Sequence, residues 1–535
     1  MDESWLLTRA LSRSPEIAPS VTAIADLSTE ISYRELWSRS NALADELRKR
    51  GVGRHEALAV LGRFDTTGVF LVLGAILSGS HICLIDASQP PSVQAAILEQ
   101  FRPAFVAGQL SDLARVNARP GASEANGNLI PGIDLLLGSQ AHTPAPTPAA
   151  VGTITFFTSG TTGRPKGVVH DQRSLLFGIW STLAIQIEVL GTRVDVPRSA
   201  TALDAAVSSL TESTRPLGLC LSSAMPFTTI SGFSMLMRSL VVGGACFVIN
   251  GPFDADKTLE LIEHRGVTNL AVSPFMAQSL LRSQRRRPRD TSRLLSLGLG
   301  AGPADSSLVP SLEQTFGCLS LIGYGTTETA GVLTMSSPND PVNTRACTIG
   351  RPVLGVDAWV SNEAGDPVSD GSPGQLIVST EALMLGYVGD PRLYDAGQRP
   401  GRGIFATGDR AVIGSDGSIQ LLGRLTELIV RGGQNIDPVA IEQHLEAHPS
   451  VRSACVLGIA SRVAGEEDIV AMVEPEPGQQ IDPVLVRRHC LSTLGAARTP
   501  SRIVVGELPR TSDGSVRRGE VRTSVHSSRH SHEPN

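Results

Sequence analysis

The hydrophobic and polar positions of this chain follow two alternating periods, and this alternation predicts a protein of the α/β class. Over roughly residues 43–85, a helix-like stretch such as NALADELRKRGVG is followed by short apolar runs such as ALAVLG and HICLID, with glycine at the junctions. The same alternation returns over residues 215–325, in runs such as SLVVGGACFVING and TNLAVSPF. Helical and strand segments in alternation indicate a largely parallel sheet covered by helices.

The pattern changes downstream and predicts further units. Over residues 345–422, short strands such as GQLIVST alternate with turn sequences such as NEAGDPVSDGSPG, which is typical of a small antiparallel β subdomain. A last unit of mixed helix and strand follows. We therefore expect a large N-terminal domain over 1–423 that includes the β subdomain, a small α+β C-terminal domain over 424–520, and a disordered tail over 521–535.

Two segments need a separate interpretation. The apolar run GVFLVLGAILSGSHICLI (68–85) approaches the length of a membrane span, but it contains serine and histidine and has Asp65 and Asp86 close by. We expect a buried helix followed by a core strand, and no membrane span. The stretch HTPAPTPAAVG (142–152) is rich in proline, alanine and threonine and predicts a surface linker.

Composition and charge narrow the class of protein. The chain is 41% hydrophobic and 18% charged with a net charge of −6, which is typical of a soluble globular protein and argues against a nucleic-acid or anionic-membrane partner. Its seven cysteines show no CxxC spacing, as expected for reduced thiols rather than disulfides or a zinc site. The first residues do not read as a signal peptide, so we expect a cytoplasmic location.

The strongest chemical signal is TSGTTGRPKG (158–167), which follows the apolar strand TITFF. Closely spaced glycines allow backbone N–H groups to approach phosphate, hydroxyls add donors, and Lys166 supplies a positive charge. The motif differs from the P-loop of NTPases because Pro165 precedes the lysine and Gly167 follows it. The sequence therefore predicts a polyphosphate-binding loop of another type.

This loop resembles the signature of the adenylate-forming superfamily, which includes acyl- and aryl-CoA ligases, nonribosomal peptide adenylation domains, luciferases and amide synthetases. Further motifs resemble those of the family and follow in its order: GAGP (300–303), GYGTTE (323–328), TGD (407–409), GR (423–424) and RGGQNIDPVAIE (431–442). The resemblance covers about residues 25–520. It implies a large domain of βα layers with a β subdomain, and a small mobile lid domain that rotates about the segment after Gly423.

The resemblance also implies a reaction and its cofactors. A carboxylic acid is activated with ATP as an acyl-AMP, with release of pyrophosphate, and the acyl group then passes to an acceptor. Lys166 and Thr327 are expected to act at the phosphates, Glu328 to hold Mg²⁺, Tyr324 to lie along the adenine, and Asp409 to bind the ribose hydroxyls. The residues implied at the nucleotide are Thr158, Ser159, Gly160, Thr161, Thr162, Gly163, Gly300, Ala301, Gly302, Tyr324, Gly325, Asp409 and Arg424.

The sequence departs from the family where a small-domain lysine is usual. The stretch LPRTSDGSVRR (508–518) carries Ser515 in the lysine position, and no lysine follows Lys257. By analogy with oxyanion donors, the lost cation would cost adenylation roughly 3–4 kcal/mol of transition-state stabilisation. Three interpretations stay open: Arg517 or Arg518 takes over as the catalytic cation, although arginine is not equivalent to lysine; adenylation is slow; or the protein is an impaired homologue limited to nucleotide binding or acyl transfer.

The expected acid pocket begins at MPFTTISG (225–232), where related CoA ligases often read PLFHxxG. Thr229 stands at the histidine position, and Ser231 stands where amino-acid adenylation domains keep an aspartate for the substrate ammonium. The missing carboxylate argues against a free α-amino acid as substrate. The pocket residues we predict are Phe227, Thr229, Ser231, Gly232 and Gly323. The run RRRPR (285–289) could meet coenzyme A phosphates or a carrier protein, but a solvated charge run at a helix end is the favoured interpretation.

Three functions therefore compete. The first is transfer of the acyl group to a thiol, either coenzyme A or the phosphopantetheine of a carrier protein, and the second is amide synthesis on an amine. The third is a remnant that binds nucleotide without turnover, against which the intact Lys166, Glu328 and Asp409 argue.

Only three of the 46 basic residues are lysine, which is typical of a GC-rich genome and leads us to expect bacterial secondary metabolism.

Overall fold

A computed structural model of the chain describes residues 7–117, 125–130, 133–137, 152–159, 165–188, 200–390, 403–431, 434–461, 466–511 and 514–527. The helices are α1 (Leu7–Ile17), α2 (Tyr33–Lys49), α3 (Thr66–Ser78), α4 (Pro91–Phe101), α5 (Leu110–Asn117), α6 (Gln172–Glu188), α7 (Ala200–Thr214), α8 (Ile230–Val242), α9 (Ala255–Arg265), α10 (Pro274–Arg286), α11 (Leu308–Phe316), α12 (Val342–Cys347), α13 (Pro438–Glu446), α14 (Pro483–Leu494) and α15 (Arg518–Ser527).

The strands of the first half of the chain are β1 (Thr22–Ala25), β2 (Glu30–Ser32), β3 (Ala57–Gly62), β4 (His81–Asp86), β5 (Phe105–Gly108), β6 (Ala125–Ile130), β7 (Ile133–Leu137), β8 (Ile154–Ser159), β9 (Pro165–His170), β10 (Cys220–Ser223), β11 (Cys246–Ile249), β12 (Asn269–Val272) and β13 (Ser296–Leu299). Those of the second half are β14 (Leu319–Thr326), β15 (Gly331–Met335), β16 (Arg351–Pro352), β17 (Asp357–Ser361), β18 (Gly374–Thr380), β19 (Gly386–Tyr387), β20 (Gly403–Ile413), β21 (Ile419–Arg424), β22 (Ile429–Arg431), β23 (Gln434–Ile436), β24 (Val451–Ala460), β25 (Glu467–Pro475) and β26 (Arg502–Val505).

Two large sheets form the N-terminal domain. One has the strand order β16-β15-β14-β13-β12-β10-β11-β1-β2, and the other has the order β19-β9-β8-β4-β3-β5-β7-β6. The central pairs of both sheets are parallel, including β10 with β12, β13 with β14, and β4 with β8, whereas the edges are antiparallel. The alternating pattern therefore predicted the α/β class and the largely parallel sheets correctly.

The apolar run 68–85 forms α3 and β4, as expected. Asp65 begins the helix by accepting a hydrogen bond from the Gly68 N–H at 2.8 Å, and Gly79 ends it with a φ of 82°. Both elements are almost completely buried. Within the described ranges, no helix combines the length and apolarity needed to cross a membrane.

Helix α8 joins the two sheets through the main hydrophobic core. It is buried along nearly its whole length and contacts β10, β11 and β15 of the first sheet. On its other side, the ring of Phe233 packs edge-to-face on Phe156 of β8, in the second sheet, with centroids 5.2 Å apart. The N-terminal end of α8, which follows the predicted acid pocket motif, is therefore fixed with respect to both sheets.

The β subdomain is the antiparallel sheet β17-β18-β20-β21, as the turn-rich pattern of 345–422 predicted. The expected linker over 142–152 lies outside the described residues except for Gly152. All seven cysteines are free thiols, in agreement with the expectation from their spacing.

The small domain is built on the three-stranded sheet β24-β25-β26, with α13, α14 and α15 packed against it. The predicted disordered tail is wrong for its first seven residues, because α15 continues to Ser527. Val521 and Val525 lie one turn apart on this helix and are 0% and 1% exposed, so their burial stabilises it. Residues 528–535 of the predicted tail lie outside the described residues.

Replacement of Val525 by alanine should therefore destabilise the small domain. Removal of two buried methyl groups is expected to lower the free energy of unfolding by about 1.5–3 kcal/mol, from lost transfer energy and the cavity left behind. The shift is measured as the change in the midpoint of denaturant unfolding. Ser524→Ala, at the exposed neighbouring position, is the control and should leave the midpoint unchanged. Equal midpoints for Val525→Ala and the parent would show that 521–527 contributes nothing to the fold.

Candidate active site

The two ends of the predicted phosphate loop are held by a β-hairpin. Strands β8 and β9 are antiparallel, with Thr158 opposite Lys166 and Ser159 opposite Pro165. The Thr158 hydroxyl lies 3.4 Å from the Lys166 carbonyl oxygen, to which it donates. Since β8 runs parallel to β4, the loop leaves the sheet at the carboxyl end of β8, where ligands of α/β proteins usually bind. The loop residues predicted to contact phosphate that lie outside the described residues are Gly160, Thr161, Thr162 and Gly163.

Tyr387 connects the two residues predicted to serve the phosphates and the metal. Its hydroxyl donates to Oε1 of Glu328 at 3.0 Å, and Nζ of Lys166 lies 3.4 Å from the centroid of its ring. Strand β19 places it there, because Tyr387 pairs with Val168, two residues along β9 from Lys166. Tyr387 thus contacts the ammonium with its ring face and the carboxylate with its hydroxyl, and within the described residues no ion pair joins Lys166 to Glu328.

Burial and the neighbouring Glu328 carboxylate raise the pKa of Tyr387, so its hydroxyl keeps the proton that it donates. The cation–π contact with Lys166 contributes about 0.5–1 kcal/mol at an exposed site such as this. The motifs did not identify Tyr387. The sequence marks it only by the rarity of tyrosine, which occurs four times in the chain. In the structure it is the last residue of the short strand Gly386–Tyr387.

A second residue that the motifs missed is His170, which fixes the backbone beside Glu328. The imidazole is fully buried at the end of β9, and its Nε2 lies 2.7 Å from the carbonyl oxygen of Thr327. A carbonyl only accepts, so Nε2 must be the donor. Burial lowers the pKa of His170 and favours the neutral ring. The strand that carries Lys166 is therefore tied to the 3-10 turn Thr327–Thr329 that carries Glu328.

Three residues that the resemblance implies at the nucleotide, Asp409, Tyr324 and Arg424, lie in contact with one another. Asp409 is 5% exposed, accepts a hydrogen bond from the Tyr324 hydroxyl, and lies 3.0 Å from Nε of Arg424. Its backbone N–H donates to the Thr407 hydroxyl at 3.1 Å. Burial raises the pKa of Asp409, and Arg424 opposes this shift. Two carboxylate oxygens in an enclosed polar niche are suited to a pair of sugar hydroxyls.

The segment Gly300–Gly302 forms a narrow floor beside this niche. A β-carbon at Gly300 would lie 3.3 Å from the carbonyl oxygen of Gly323, so β13 and β14 approach closely at their ends. Ala301 has a φ of 62°, a left-handed conformation that is uncommon for alanine. At Gly325 a β-carbon would lie 1.7 Å from the Gly331 carbonyl oxygen, so glycine is required there. The backbone can therefore approach a planar ligand closely.

The small domain contacts this floor at the position where the family lysine is missing. The Ser515 hydroxyl donates to the carbonyl oxygen of Ala301 at 3.1 Å. The same loop is held by the guanidinium of Arg510, which stacks on Phe275 of the large domain at 4.0 Å from the ring centroid. Position 515 therefore faces the nucleotide segment.

The two arginines proposed to replace the lysine are placed elsewhere. Arg518 forms a buried ion pair with Glu442 at 2.7 Å and a second pair with Glu427 at 3.3 Å. Arg517 donates to the Arg510 carbonyl oxygen at 3.0 Å and lies 3.1 Å from Glu520. Pulling Arg518 out would leave a buried carboxylate unpaired, which typically costs 3–5 kcal/mol. In this conformation the structure brings neither arginine to the nucleotide segment.

Three predicted pocket residues lie at the start of α8, and two of them, Thr229 and Gly232, have structural roles. Thr229 caps the helix by accepting from the Gly232 N–H at 3.3 Å and donates to the Pro226 carbonyl oxygen at 2.7 Å. Gly232 is required, because a β-carbon would lie 2.2 Å from that carbonyl oxygen. Ser231 is half-buried on the first turn. Gly323, the fourth, lies opposite Gly300 as described above.

The prediction that Phe227 lines the pocket is wrong. Its side chain is 0% exposed and packs edge-to-face on Phe64, with centroids 5.3 Å apart. A β-carbon at Gly68 would lie 2.7 Å from this ring, so α3 closes over it. Its place after proline in the motif made Phe227 a candidate for the pocket. In the structure, β3 and α3 pack against its ring and bury it in the core.

The arginine run 285–289 fits the favoured interpretation of a helix-terminal charge run. Arg286 pairs with Asp256 at 2.8 Å, and Arg289 pairs with Glu263 at 2.8 Å. Both arginines thus bind acidic residues of α9. Surface pairs of this kind contribute little to stability.

The architecture and the site define the class of protein. The model of the AMP-binding enzyme family matches residues 11–388, and that of the AMP-binding enzyme C-terminal domain matches residues 440–515. The chain therefore belongs to the adenylate-forming superfamily that its motifs resemble, an ATP-binding family of CoA ligases and amide synthetases, and it is an enzyme of the ligase class.

Particular members of the family are similar over nearly the whole chain. A sulfoacetate–CoA ligase of Cupriavidus necator is 30% identical over 87% of this chain and 89% of the relative. A feruloyl-CoA synthase of an Amycolatopsis species is 26% identical over 97% of this chain and 98% of the relative. The structure of the amide bond synthetase McbA from Marinactinospora thermotolerans has a TM-score of 0.75 with 21% identity, over 96% of this chain and 99% of that one. The last similarity concerns the fold alone.

If Tyr387 positions Glu328, removal of the Tyr387 hydroxyl should weaken the binding of Mg²⁺ at Glu328, on which the reaction depends. For Tyr387→Phe we expect about a tenfold loss of acid-dependent pyrophosphate release, since a hydrogen bond to a charged group is worth about 1.5–3 kcal/mol. We also expect the Mg²⁺ concentration for half-maximal rate to rise. Phenylalanine keeps the ring beneath Lys166, so the ATP requirement should change less than in Tyr387→Leu, which lacks both contacts. An unchanged Mg²⁺ requirement in Tyr387→Phe would contradict this role.

Proposed function

We propose that this chain activates a carboxylic acid with ATP and Mg²⁺ as an acyl-AMP, releasing pyrophosphate, and transfers the acyl group to a thiol. The observation that carries the proposal is the placement of Lys166 on the face of the Tyr387 ring and of Glu328 at its hydroxyl, at the end of the phosphate hairpin. The niche of Asp409, Tyr324 and Arg424 supplies the matching site for a ribose.

The residues present fit a nucleotide and a divalent cation. A carboxylate is an oxygen ligand of the kind that Mg²⁺ prefers, and Glu328 is oriented by the hydrogen bond that its Oε1 accepts from Tyr387. When bound there, the metal neutralises negative charge on the phosphate oxygens. At Gly300 a β-carbon would lie 3.3 Å from the Gly323 carbonyl oxygen, and the absence of side chains at both glycines leaves the backbone of this floor accessible to a flat ring.

In the first half-reaction an oxygen of the substrate carboxylate attacks the α-phosphorus of ATP. The bond from this phosphorus to the bridging oxygen breaks, and pyrophosphate leaves with the bonding electrons. Negative charge gathers on the phosphoryl oxygens, so catalysis depends on positioning and on cations already in place. Lys166 supplies such a cation, and the bond from His170 to Thr327 fixes the backbone on which its partner Glu328 stands.

In the second half-reaction a thiol sulfur attacks the acyl carbon and AMP leaves. The curated relatives that match nearly the whole chain, at 26% and 30% identity, are named as CoA ligases, which favours coenzyme A or a phosphopantetheine thiol as the acceptor. Transfer to an amine is the second candidate, favoured by the fold similarity to an amide bond synthetase. Both use the same adenylate, so the acceptor is a separate question from the first step.

Ser515 makes slow adenylation the preferred interpretation of the missing lysine. The small-domain loop is docked on Ala301, yet it presents a hydroxyl, and the neighbouring arginines are engaged in other contacts. A nucleotide-binding remnant is disfavoured because the Lys166, Glu328 and Asp409 constellation is intact. The cytoplasmic location and a role in bacterial secondary metabolism rest on sequence composition and stay predictions.

The overall proposal is tested with a panel of carboxylic acids, ATP and Mg²⁺. Products are identified by mass with coenzyme A, with amines, or with neither. Thioester formation supports the first candidate, and amide formation with no thioester supports the second. Absence of acid-dependent pyrophosphate release across the panel would favour the impaired homologue.

The phosphate-step residues are tested by Lys166→Ala and Glu328→Gln. Each should lower acid-dependent pyrophosphate release by about 10²–10³-fold, the usual effect of losing one electrostatic contact to the transition state. Lys257→Ala is the matched control, because it removes an exposed lysine of α9. Rates within about threefold of the parent for both variants would remove Lys166 and Glu328 from the reaction.

The missing cation is tested by Ser515→Lys. If adenylation is limited by this position, pyrophosphate release should rise at least tenfold, equivalent to about 1.4 kcal/mol. Transfer from synthetic acyl-AMP, which bypasses adenylation, should hardly change. Arg517→Ala and Arg518→Ala are run in parallel, and abolition of release by either one, with a loss in Ser515→Lys, would identify an arginine as the replacement. If none of the three changes either half-reaction, the catalytic cation lies outside this loop.

A further inference from the structure

Helix α8 carries a buried arginine that has no acidic partner among the described residues. Arg238 is 7% exposed, and its Nε and Nη1 atoms are buried without a hydrogen-bond partner in the part of the chain that the structure describes. Its Nη2 atom lies 2.9 Å from the thioether sulfur of Met235. A thioether is a weak acceptor and carries no charge.

The contrast with another buried arginine shows how unusual this is. Arg345 is 6% exposed and donates twice to the carboxylate of Glu313, at 2.7 and 2.8 Å. Burial lowers the pKa of Arg238 to about 10, so the guanidinium stays charged at neutral pH. A buried charge without a partner is strongly unfavourable, and an anion that reaches it is bound correspondingly well.

The side chain of Arg238 leans toward the N-terminal end of α8, where the predicted acid pocket begins. Helical side chains lean toward the N-terminus of their helix, and the contact with Met235, three residues earlier, shows that Arg238 does so. Ser231, a predicted pocket residue, lies seven residues earlier and hence on the same face, about 10 Å along the axis.

That face of α8 borders the catalytic segment. The Ser234 hydroxyl lies 3.5 Å from the Ala330 carbonyl oxygen, and a β-carbon at Gly331 would lie 3.2 Å from the same hydroxyl. Both residues follow Glu328 closely in the chain. The order along the face, from Ser231 through Ser234 and Met235 to Arg238, leads from the predicted pocket and the Glu328 segment toward the C-terminal half of α8.

We propose that Arg238 binds a second anionic group at the far end of the acid substrate. The substrate class is then an acid with two anionic ends, either a dicarboxylate or a sulfonated carboxylate, of which one carboxylate is activated. An acid with an apolar end leaves the guanidinium unpaired and is rejected for that reason. The inference rests on the proposed acid-activating function and specifies its substrate.

The test compares matched acids on the full-length enzyme. Straight-chain acids of four to ten carbons are offered with a terminal carboxylate, a terminal sulfonate or a terminal methyl group, and kcat/KM for pyrophosphate release is measured. The parent should favour the anionic ends by at least tenfold at the best chain length. The ranking of carboxylate against sulfonate distinguishes the two sources of charge.

Three variants isolate the guanidinium. Arg238→Met keeps most of the volume and should remove or reverse the preference for anionic ends, whereas Arg238→Lys should retain it. Arg39→Met makes a matched charge-removing exchange at an exposed arginine of α2, outside the proposed site, and it is the control that should keep the parental ratio. A parent that favours methyl-ended acids, or an unchanged ratio in Arg238→Met, overturns the proposal.

Two further outcomes are distinguished. If Arg238→Met does not fold by circular dichroism, the parental ratio and Arg238→Lys decide. If the parent releases no pyrophosphate with any acid, the proposed function has failed, and Arg238 is judged by the Tm in the presence of dicarboxylate with ATP. A rise in the parent and in Arg238→Lys supports the anion site without turnover, whereas no rise in the parent overturns it.

Discussion

The active site depends on keeping one cation and one anion close together without letting them neutralise each other. The Tyr387 ring does this, with Lys166 on its face and Glu328 at its hydroxyl. A direct ion pair between the two side chains would occupy the groups that a polyphosphate and a metal need. The spacing requires β19 beside β9, and it requires the buried His170 to hold the turn of Glu328 against the same strand. The edge of the eight-stranded sheet is thus organised around one aromatic side chain.

The second constraint lies where the two domains meet. Arg424, at the end of β21, binds Asp409 of the nucleotide niche. Its neighbour Gly423 has a φ of 104°, and a β-carbon there would lie 2.5 Å from the Asp437 carboxylate of the small domain. Glycine is therefore required at the junction. The segment that links the domains is in contact with Asp409 through Arg424, so the proposed ribose site and the junction of the small domain share Arg424.

Much of this could be predicted from the sequence because the decisive features are local. Alternating hydrophobicity indicated the parallel sheets, turn-rich sequence indicated the β subdomain, and glycine spacing indicated a phosphate-binding loop. The resemblance of the motifs implied that Tyr324 and Asp409 belong to one nucleotide site. Contacts between distant segments could not be predicted in the same way. Tyr387 follows Lys166 by more than two hundred residues and reaches it only through strand pairing, and His170 looks like the polar end of a strand until its partner is known.

The pocket assignment of Phe227 was wrong because tertiary packing, not motif position, decides burial. The expected disordered tail was wrong where two valines one helical turn apart give α15 an apolar face.

The small domain carries its own stability. Along β24, Ala454 and Val456 belong to one hydrophobic core, and Cys455 and Leu457 belong to another on the opposite face of the sheet. The second core is completed by α15, which covers what would otherwise be exposed apolar surface. Across to the large domain, the described contacts include the Ser515 hydrogen bond, the stacking of Arg510 on Phe275, and an ion pair of Arg282 with Glu476. Neither hydrophobic core of the small domain includes a described residue of the large domain. A rotation of the small domain, which the family resemblance implies, would therefore exchange these cross-domain contacts and leave both cores intact.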